Sequence, residues 1–515
     1  MSPSTISLIT RAQEHGQRRA LVTSDGAFTY EQLLQGATAT AHTLLAGDND
    51  LAERRIAFLV PPGLDYVRVQ WGIWLAGGLA VPLCLVHPEP ELAYVIDDAQ
   101  VDTIVVHPDF VDRVKGIASE RELRLLSTTE LDSSTTQSAL PDIDPARRAM
   151  MLYTSGSTGR PKGVVTTHHN IEAQITSLVE AWEWSADDCI LHTLPLHHIH
   201  GVINVLGCSL WAGATCHMLP KFDAKQVWDY LAGGELTLYM AVPTIYAKLI
   251  SAYDDASPEQ QAKWSDGAAN LRLMVSGSAA LPVSVLEKWR GLTGHTLLER
   301  YGMTEIGMGI SNPLKGERRP GHIGQPLPHV EARLADEQGG VIAQPTAETS
   351  GEIQIKGAVV FREYWNRPDA TAEAFTDDGW FKTGDVAVLD DGYYRILGRS
   401  SVDIIKTGGY KVSALEIEEV LRTHPAIRDC AVVGVPDDEW GERVCLAAAL
   451  TPGQSLDLAG LRSWGKQHLA AYKVPQSLKV LDDLPRNAMG KVTKPQVREL
   501  FQAVLEATAG RGEPQ

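Results

Sequence analysis

"LYTSGSTGRPKGVV", Leu152 to Val165, runs an apolar segment into a loop crowded with glycines, hydroxyls and cations. An apolar strand that enters a glycine-rich turn ahead of a helix can aim successive backbone N–H groups at one point, an arrangement that receives phosphate oxygens. Thr154, Ser155, Ser157 and Thr158 add hydroxyl donors, Gly156 and Gly159 permit close approach, and Lys162 supplies a point charge suited to a polyphosphate. The segment is not a Walker A loop, because Lys162 stands between Pro161 and Gly163 rather than before Ser or Thr. Taken alone, it reads equally as a solvated Gly/Ser turn.

Outward from this loop, short apolar runs alternate with helix-like ones: "RIAFLV" before "PPGLDYVRVQWGIWLAGG", "TLYMAV" before "PTIYAKLI", "LRLMVSG" before "SAALPVSVLEKWRG". The alternation predicts an α/β fold, with a large N-terminal domain of layered α/β subdomains and largely parallel sheets. From about residue 320 to 400, Gly-punctuated stretches such as "GEIQIKG" and "GWFKTGDVAVLDDGYYRILGR" predict a β-rich subdomain of antiparallel hairpins. After Arg399 a small mobile α+β C-terminal domain is expected, its first helix opened by a capping box from Ser413 to Glu416. The expected domains are 1–399 and 400–515.

Composition narrows the partners. The 515 residues carry 46 basic and 64 acidic side chains, and a net charge of -18 disfavours nucleic acid and anionic lipid. Six cysteines without a CxxC pair or zinc-ligand spacing predict neither disulfides nor a structural metal, and a reducing, cytoplasmic location fits. Neither a signal peptide nor a membrane span is expected, since "WGIWLAGGLAVPLCLV" is broken by Gly77, Gly78 and Pro82. Oligomeric state is silent.

Five ordered phrases, "LYTSGSTGRPKGVV", "LERYGMTE", "WFKTGD", "GRSSVDIIKTGGYKVSALEIE" and "PRNAMGK", resemble the acyl-activating (adenylate-forming) superfamily across essentially the whole chain. The resemblance implies ATP, Mg²⁺ and coenzyme A, and a two-step reaction. A carboxylate attacks the α-phosphorus of ATP to give an acyl-adenylate and pyrophosphate, and the coenzyme A thiolate then displaces AMP. Joining two anions calls for cations and oriented donors rather than a covalent nucleophile.

By the same resemblance, Thr154 to Gly163 wrap the β- and γ-phosphates, Thr304 donates to the α-phosphate, and Glu305 holds Mg²⁺. Ser276, Gly277, Ser278, Ala279 and Tyr301 form the adenine slot with Gly302 beside it, Asp385 accepts the ribose hydroxyls, and Arg399 makes a further nucleotide contact. Lys491, by composition a solvated surface residue, is implied to reach the carboxylate and α-phosphate during the first step. Lys406, Gly408, Gly409 and Tyr410 are implied to line the pantetheine tunnel after the C-terminal domain rotates about a hinge between Ser400 and Asp403.

The acyl pocket is implied near "LPLHHIHGVINVLG", with His198 and His200 as substrate-facing or catalytic candidates and His197 where the family pattern has an aromatic ring. Lone histidines serve as often as satisfied core residues. Arg300 is more informative, because a guanidinium in an apolar pocket is costly without an anionic partner. It suggests a second carboxylate on the substrate; a structural ion pair, for example to Glu299, is the alternative. Arg318 and Arg319 are reserve carboxylate binders expected to be solvated. The stretch from "MVSGSAALP" to "LLERYGMTEIGM" closely resembles the malonyl-CoA and methylmalonyl-CoA synthetase branch. Two other readings stand beside it: a fatty or aryl acyl-CoA synthetase of the same fold, and a non-catalytic nucleotide-binding protein.

Overall fold

The protein is described by a computed structural model covering residues 6–131, 139–154, 160–400, 402–408, 410–437, 440–487 and 490–509. Among the described residues the strands form four sheets. A seven-stranded sheet is ordered Glu363–Tyr364, Lys162–Thr167, Arg148–Thr154, Leu79–Pro82, Arg55–Leu59, Thr103–Val106 and Arg124–Ser127. A nine-stranded sheet is ordered Gln325–Pro326, Gly307–Ser311, Leu298–Met303, Leu273–Ser276, Leu238–Ala241, Cys189–His192, Thr215–Met218, Arg19–Thr23 and Gly26–Thr29.

Alternation along the central strands builds the layers. In Leu238–Ala241, Leu238 and Met240 join the core shared by both sheets, while Tyr239 and Ala241 face a second core. The shared core also holds Val67, Trp71 and Trp74 from helix Leu64–Leu75 and Ile171, Ile175 and Leu178 from helix His168–Ala181, so these helices lie between the sheets. Helices Ala224–Leu231, Pro243–Asp254, Pro258–Ala268 and Val283–Thr293 cover the outer face of the nine-stranded sheet, with Trp228 stacked on Trp264 and Trp289. Glu89–Asp98 and Val111–Glu120 cover the outer face of the other. Strands buried on both faces explain the nearly continuous apolar runs in the sequence.

The expected strand–turn–helix geometry at residues 152–165 is corrected by the structure. Arg148–Thr154 pairs antiparallel with Lys162–Thr167, placing Tyr153 opposite Gly163 and Thr154 opposite Lys162. The donor-rich loop therefore joins two strands, and helix His168–Ala181 begins only after the second, capped by Thr167. Lys162 is fixed as the first residue of a strand.

The antiparallel region is a four-stranded sheet of Glu331–Ala335, Gly351–Lys356, Phe381–Asp390 and Tyr393–Arg399. Beyond it, a smaller sheet pairs Tyr410–Ser413, Ile404–Thr407, Gly441–Leu450 and Ile427–Asp437 antiparallel, with Ser477–Leu481 added in parallel. Helices Ala414–Leu421 and Leu458–His468 pack on one face and Lys494–Ala509 on the other. The capping box is only half formed. Ser413 Oγ accepts from Glu416 N at 3.0 Å, but the Glu416 carboxylate turns to Lys473 instead of back to Ser413. Among the described residues no helix is long and apolar enough to cross a membrane.

Candidate active site

Four segments from the ends of three sheets converge. Strand Leu298–Met303 turns through Thr304, Glu305 and Ile306 into Gly307–Ser311. The turn is tight: a Cβ on Gly302 would lie 1.9 Å from Gly307 O, so only glycine fits there. Glu305 is thereby drawn inward and buried, and its Oε1 accepts from the Tyr364 phenol at 2.8 Å. The Lys162 ammonium lies 4.9 Å from the centre of the same Tyr364 ring. Burial raises the Glu305 pKa, while the Tyr364 hydrogen bond and the nearby charges of Arg399 and Lys162 oppose the rise. Thr304 is half-buried beside it.

On the next strand pair, Tyr301 donates to Asp385 Oδ2 at 2.6 Å and Arg399 Nε donates to Asp385 Oδ1 at 3.0 Å. Each carboxylate oxygen has two acceptor sites, so Asp385 keeps capacity for two hydroxyl donors. Ser276 ends strand Leu273–Ser276, and the chain turns through Gly277 to Ser278, which holds φ at +69°. Ala279 is exposed beside that turn.

Arg300 is 2% exposed and lies flat against this turn, where a Cβ on Gly277 would come 2.5 Å from its Cζ. Its Nη2 donates to Ser278 Oγ at 3.3 Å, while Nε and Nη1 are buried without a partner among the described residues. Burial pulls its pKa down to about 9. The Ser278 hydroxyl also meets His200 Nδ1 at 3.3 Å. His200 Nε2 is buried and, among the described residues, unbonded. Burial, then Arg300, hold the His200 pKa well below its ordinary value, so the ring is neutral at pH 7.

The structural alternative for Arg300 is not realised. Neighbouring Glu299 points to the other side of the strand, accepts among the described residues only from Leu281 N at 3.3 Å, and is pushed up to about 8 by burial. Among the described residues Arg300 has no acidic partner. Arg318 also departs from expectation: it is partly buried and staples its loop by donating to Pro313 O, Thr296 O and Leu314 O. Arg319 pairs with Glu317 and Asp391 and lies over Tyr393.

Lys491 faces this site. Its pKa is lowered by desolvation and then by the charges of Arg300 and Arg399, against the pull of Asp385. Its own loop rests near helix Pro243–Asp254, where a Cβ on Gly490 would lie 3.7 Å from Thr244 Oγ1. His198 senses Lys491 as well and is depressed to about 4, chiefly by burial. His198 and His200 lie at the start of the π-helical turn His200–Gly207, and the tilted His197 and His198 rings have centroids 4.1 Å apart.

The expected coenzyme A residues sit apart. Lys406 and Gly408 are exposed, their backbone N–H groups donating to Glu442 and Trp440 O, and Tyr410 stacks on Tyr472 at 4.3 Å. Ser155, Gly156, Ser157, Thr158, Gly159 and Gly409 lie outside the described residues. The sequence analysis gives Tyr364, within "FREYWNRP" at 361–368, no role. A tyrosine in a two-residue strand pairing with Val164 could have been found only through that pairing.

Together the site gathers oriented donors, a buried carboxylate, a ribose-type acceptor and a lysine on a second set of elements, the inventory for nucleotidyl transfer to an anion. The chain belongs to the AMP-binding enzyme family: the AMP-binding enzyme model matches residues 8–365, and that of the AMP-binding enzyme C-terminal domain matches residues 416–491. Among its relatives is the mitochondrial malonate–CoA ligase ACSF3 of Mus musculus, 45% identical over 99% of this chain and 93% of that protein. Its fold matches a crystal structure of ATP-bound MatB from Rhodopseudomonas palustris, with a TM-score of 0.89 at 33% identity over 97% and 99% of the two chains. It also matches a malonyl-CoA ligase ternary product complex with methylmalonyl-CoA and AMP, with a TM-score of 0.67 at 35% identity over 92% and 97%.

Proposed function

We propose that this chain is an ATP-dependent, AMP-forming acyl-CoA ligase that activates malonate and its small substituted forms. The observation that carries the substrate is Arg300, a buried guanidinium with Nε and Nη1 unbonded and no acid partner among the described residues. Leaving such a charge unpaired costs several kcal/mol, and a substrate with a second carboxylate supplies the partner. Fatty or aryl acids have none to offer. Arg300 and, in its Nε2–H tautomer, His200 receive the distal carboxylate, while Lys491 meets the reacting one across a single methylene.

In the first step the proximal carboxylate oxygen bonds to the α-phosphorus and the bond to pyrophosphate breaks. Lys491 and Thr304 offset the charge of the two anions, and Lys162 with the loop from Thr154 holds the β- and γ-phosphates. Tyr301, Gly302 and residues 276–279 position adenine, and Asp385 with Arg399 the ribose. Glu305, buried beside Lys162, fits a hard cation, and Mg²⁺ bound there supplies further screening of the phosphates. In the second step the coenzyme A sulfur bonds to the acyl carbon and the bond to AMP breaks.

We assign residues 1–399 and 400–515 to two domains and the second step to a rotation between them. That Lys491 faces Arg300 and Asp385 supports the first-step arrangement here. The TM-scores of 0.89 and 0.67, at nearly equal identity, support it too. Lys406, Gly408, Gly409 and Tyr410 then take the place of Lys491 beside the acyl-adenylate. Six buried, unpaired cysteines support a reducing compartment such as the cytoplasm; fractionation of the tagged chain tests it against the mitochondrial location in the relative's name.

The test is pyrophosphate release with malonate, methylmalonate, acetate, hexanoate and benzoate. Malonate should exceed acetate by at least about a hundredfold, the worth of a desolvated charge pair, and Arg300→Ala should remove that margin. Turnover of hexanoate or benzoate above malonate overturns the substrate; no AMP with any acid overturns the enzyme.

A further inference from the structure

Away from this site, the parallel register of two strands brings together side chains that lie far apart in the sequence. Cys189 opens strand Cys189–His192 and pairs with Thr215, so His217, two residues further along Thr215–Met218, shares its face of the sheet. The loop before strand Leu238–Ala241 adds Glu235. Thr237 pins that loop to Cys189, with Thr237 N donating to Cys189 O at 2.8 Å and Cys189 N donating to Thr237 Oγ1 at 2.9 Å. A ligand atom from each of Cys189, His217 and Glu235 lies within 4.8 Å of the others.

His217 is the independent sign that the cluster is made for a ligand. It is 5% exposed, and among the described residues neither ring nitrogen has a hydrogen-bond partner. Its Nε2 stops 3.6 Å from Glu235 Oε2, and the Tyr230 ring packs against its edge at 5.7 Å. Leaving an imidazole buried and unbonded costs about 1–3 kcal/mol. Glu235 is half-exposed and its Oε1 pairs with Arg19, which leaves Oε2 on the side of His217 and Cys189.

We propose that Cys189, His217 and Glu235 form a binding site for a soft divalent cation, Zn²⁺ before others, distinct from the nucleotide site. Thiolate, imidazole and carboxylate are the donors zinc takes, and its bond lengths of about 2.0–2.3 Å put tetrahedral ligand atoms about 3.6 Å apart. The observed spread, at most 4.8 Å, exceeds that by about 1.2 Å. Glu235, at the solvent edge, gives the entry path, and a fourth position is left for water. On binding, the Cys189 S–H bond is replaced by sulfur–metal coordination and the proton leaves to solvent. The ion ties two neighbouring strands to the adjoining loop, a structural role that requires no part in catalysis.

The full-length protein, treated with chelator and freed of nucleotide, is titrated with Co²⁺ and then Zn²⁺. One equivalent of Co²⁺ should give a near-ultraviolet thiolate-to-cobalt band that Zn²⁺ abolishes. Cys189→Ser, nearly isosteric, should lose the band, and Glu235→Gln, at a half-exposed position that does not threaten folding, should weaken Co²⁺ affinity at least about tenfold. Absence of the band in the native chain, its persistence in Cys189→Ser, or unchanged affinity in Glu235→Gln overturns the site.

Discussion

The Tyr301 phenol donates to Asp385 Oδ2 at 2.6 Å, joining strand Leu298–Met303 of the nine-stranded sheet to strand Phe381–Asp390 of the antiparallel one. The bond, with that of Arg399 to Oδ1, fixes the carboxylate proposed to receive the ribose. A hydrogen bond to a charged group is worth about 1.5–3 kcal/mol. Tyr301→Phe is therefore expected to raise KM for ATP by about tenfold or more with little change in KM for malonate, measured by steady-state kinetics.

Ser278 links Arg300 to His200 through two 3.3 Å contacts. Ser278→Ala frees both side chains, and KM for malonate should rise about tenfold while pyrophosphate release with acetate stays near its native rate. Equal losses with both acids would remove the distal-carboxylate role.

Lys491 offsets charge only while two anions approach. Lys491→Ala should lower malonate-dependent ATP–pyrophosphate exchange by about 10²–10³-fold yet convert supplied malonyl-adenylate and coenzyme A at nearly the native rate. Loss of both half-reactions contradicts the division between them.

Glu299 is buried, with Oε2 unbonded and Glu419 raising its pKa further, to about 8. Between its ordinary carboxylate value and 8 the folded chain holds a proton that the unfolded chain has released. This contribution to stability is thus complete at acid pH and falls as pH rises to 8, by about 1.4 kcal/mol per unit. Glu299→Gln should flatten the decline in urea-measured stability from pH 5 to 8; an unchanged slope refutes the assignment.

Lys494 bridges Asp403 at 2.5 Å and Glu418 at 2.7 Å, and Asp403 Oδ2 accepts from Arg399 N at 3.0 Å. Burial lowers the Lys494 pKa but the two carboxylates outweigh it and raise it. Lys494→Met strands two poorly solvated carboxylates and should destabilise the C-terminal elements by about 3–5 kcal/mol. Adding Asp403→Asn and Glu418→Gln should restore most of that in urea denaturation.

The strand-and-helix alternation was legible because each central strand is apolar on both faces, as Leu238 to Ala241 illustrate. The antiparallel hairpins around Asp385 were legible from their Asp-Gly turns. The turn after Thr154 was misread because a strand leading into glycines looks the same before a strand or a helix; only pairing with Lys162–Thr167 separates them. Glu416 was read as half of a capping box, but Lys473, 57 residues on, competes for its carboxylate.

By itself the sequence determined the layered α/β class, the donor-rich loop and the residue types for joining a carboxylate to a nucleotide, because these rest on local periodicity and on phrases of contiguous residues. Only the tertiary structure decided that Arg300 lacks an acid partner among the described residues, since that depends on every carboxylate that could have folded against it. The same holds for Cys189, His217 and Glu235, which show no zinc-ligand spacing in sequence: parallel strand register sets Cys189 and His217 on one face of the sheet, and the loop before Leu238–Ala241 brings Glu235 to them.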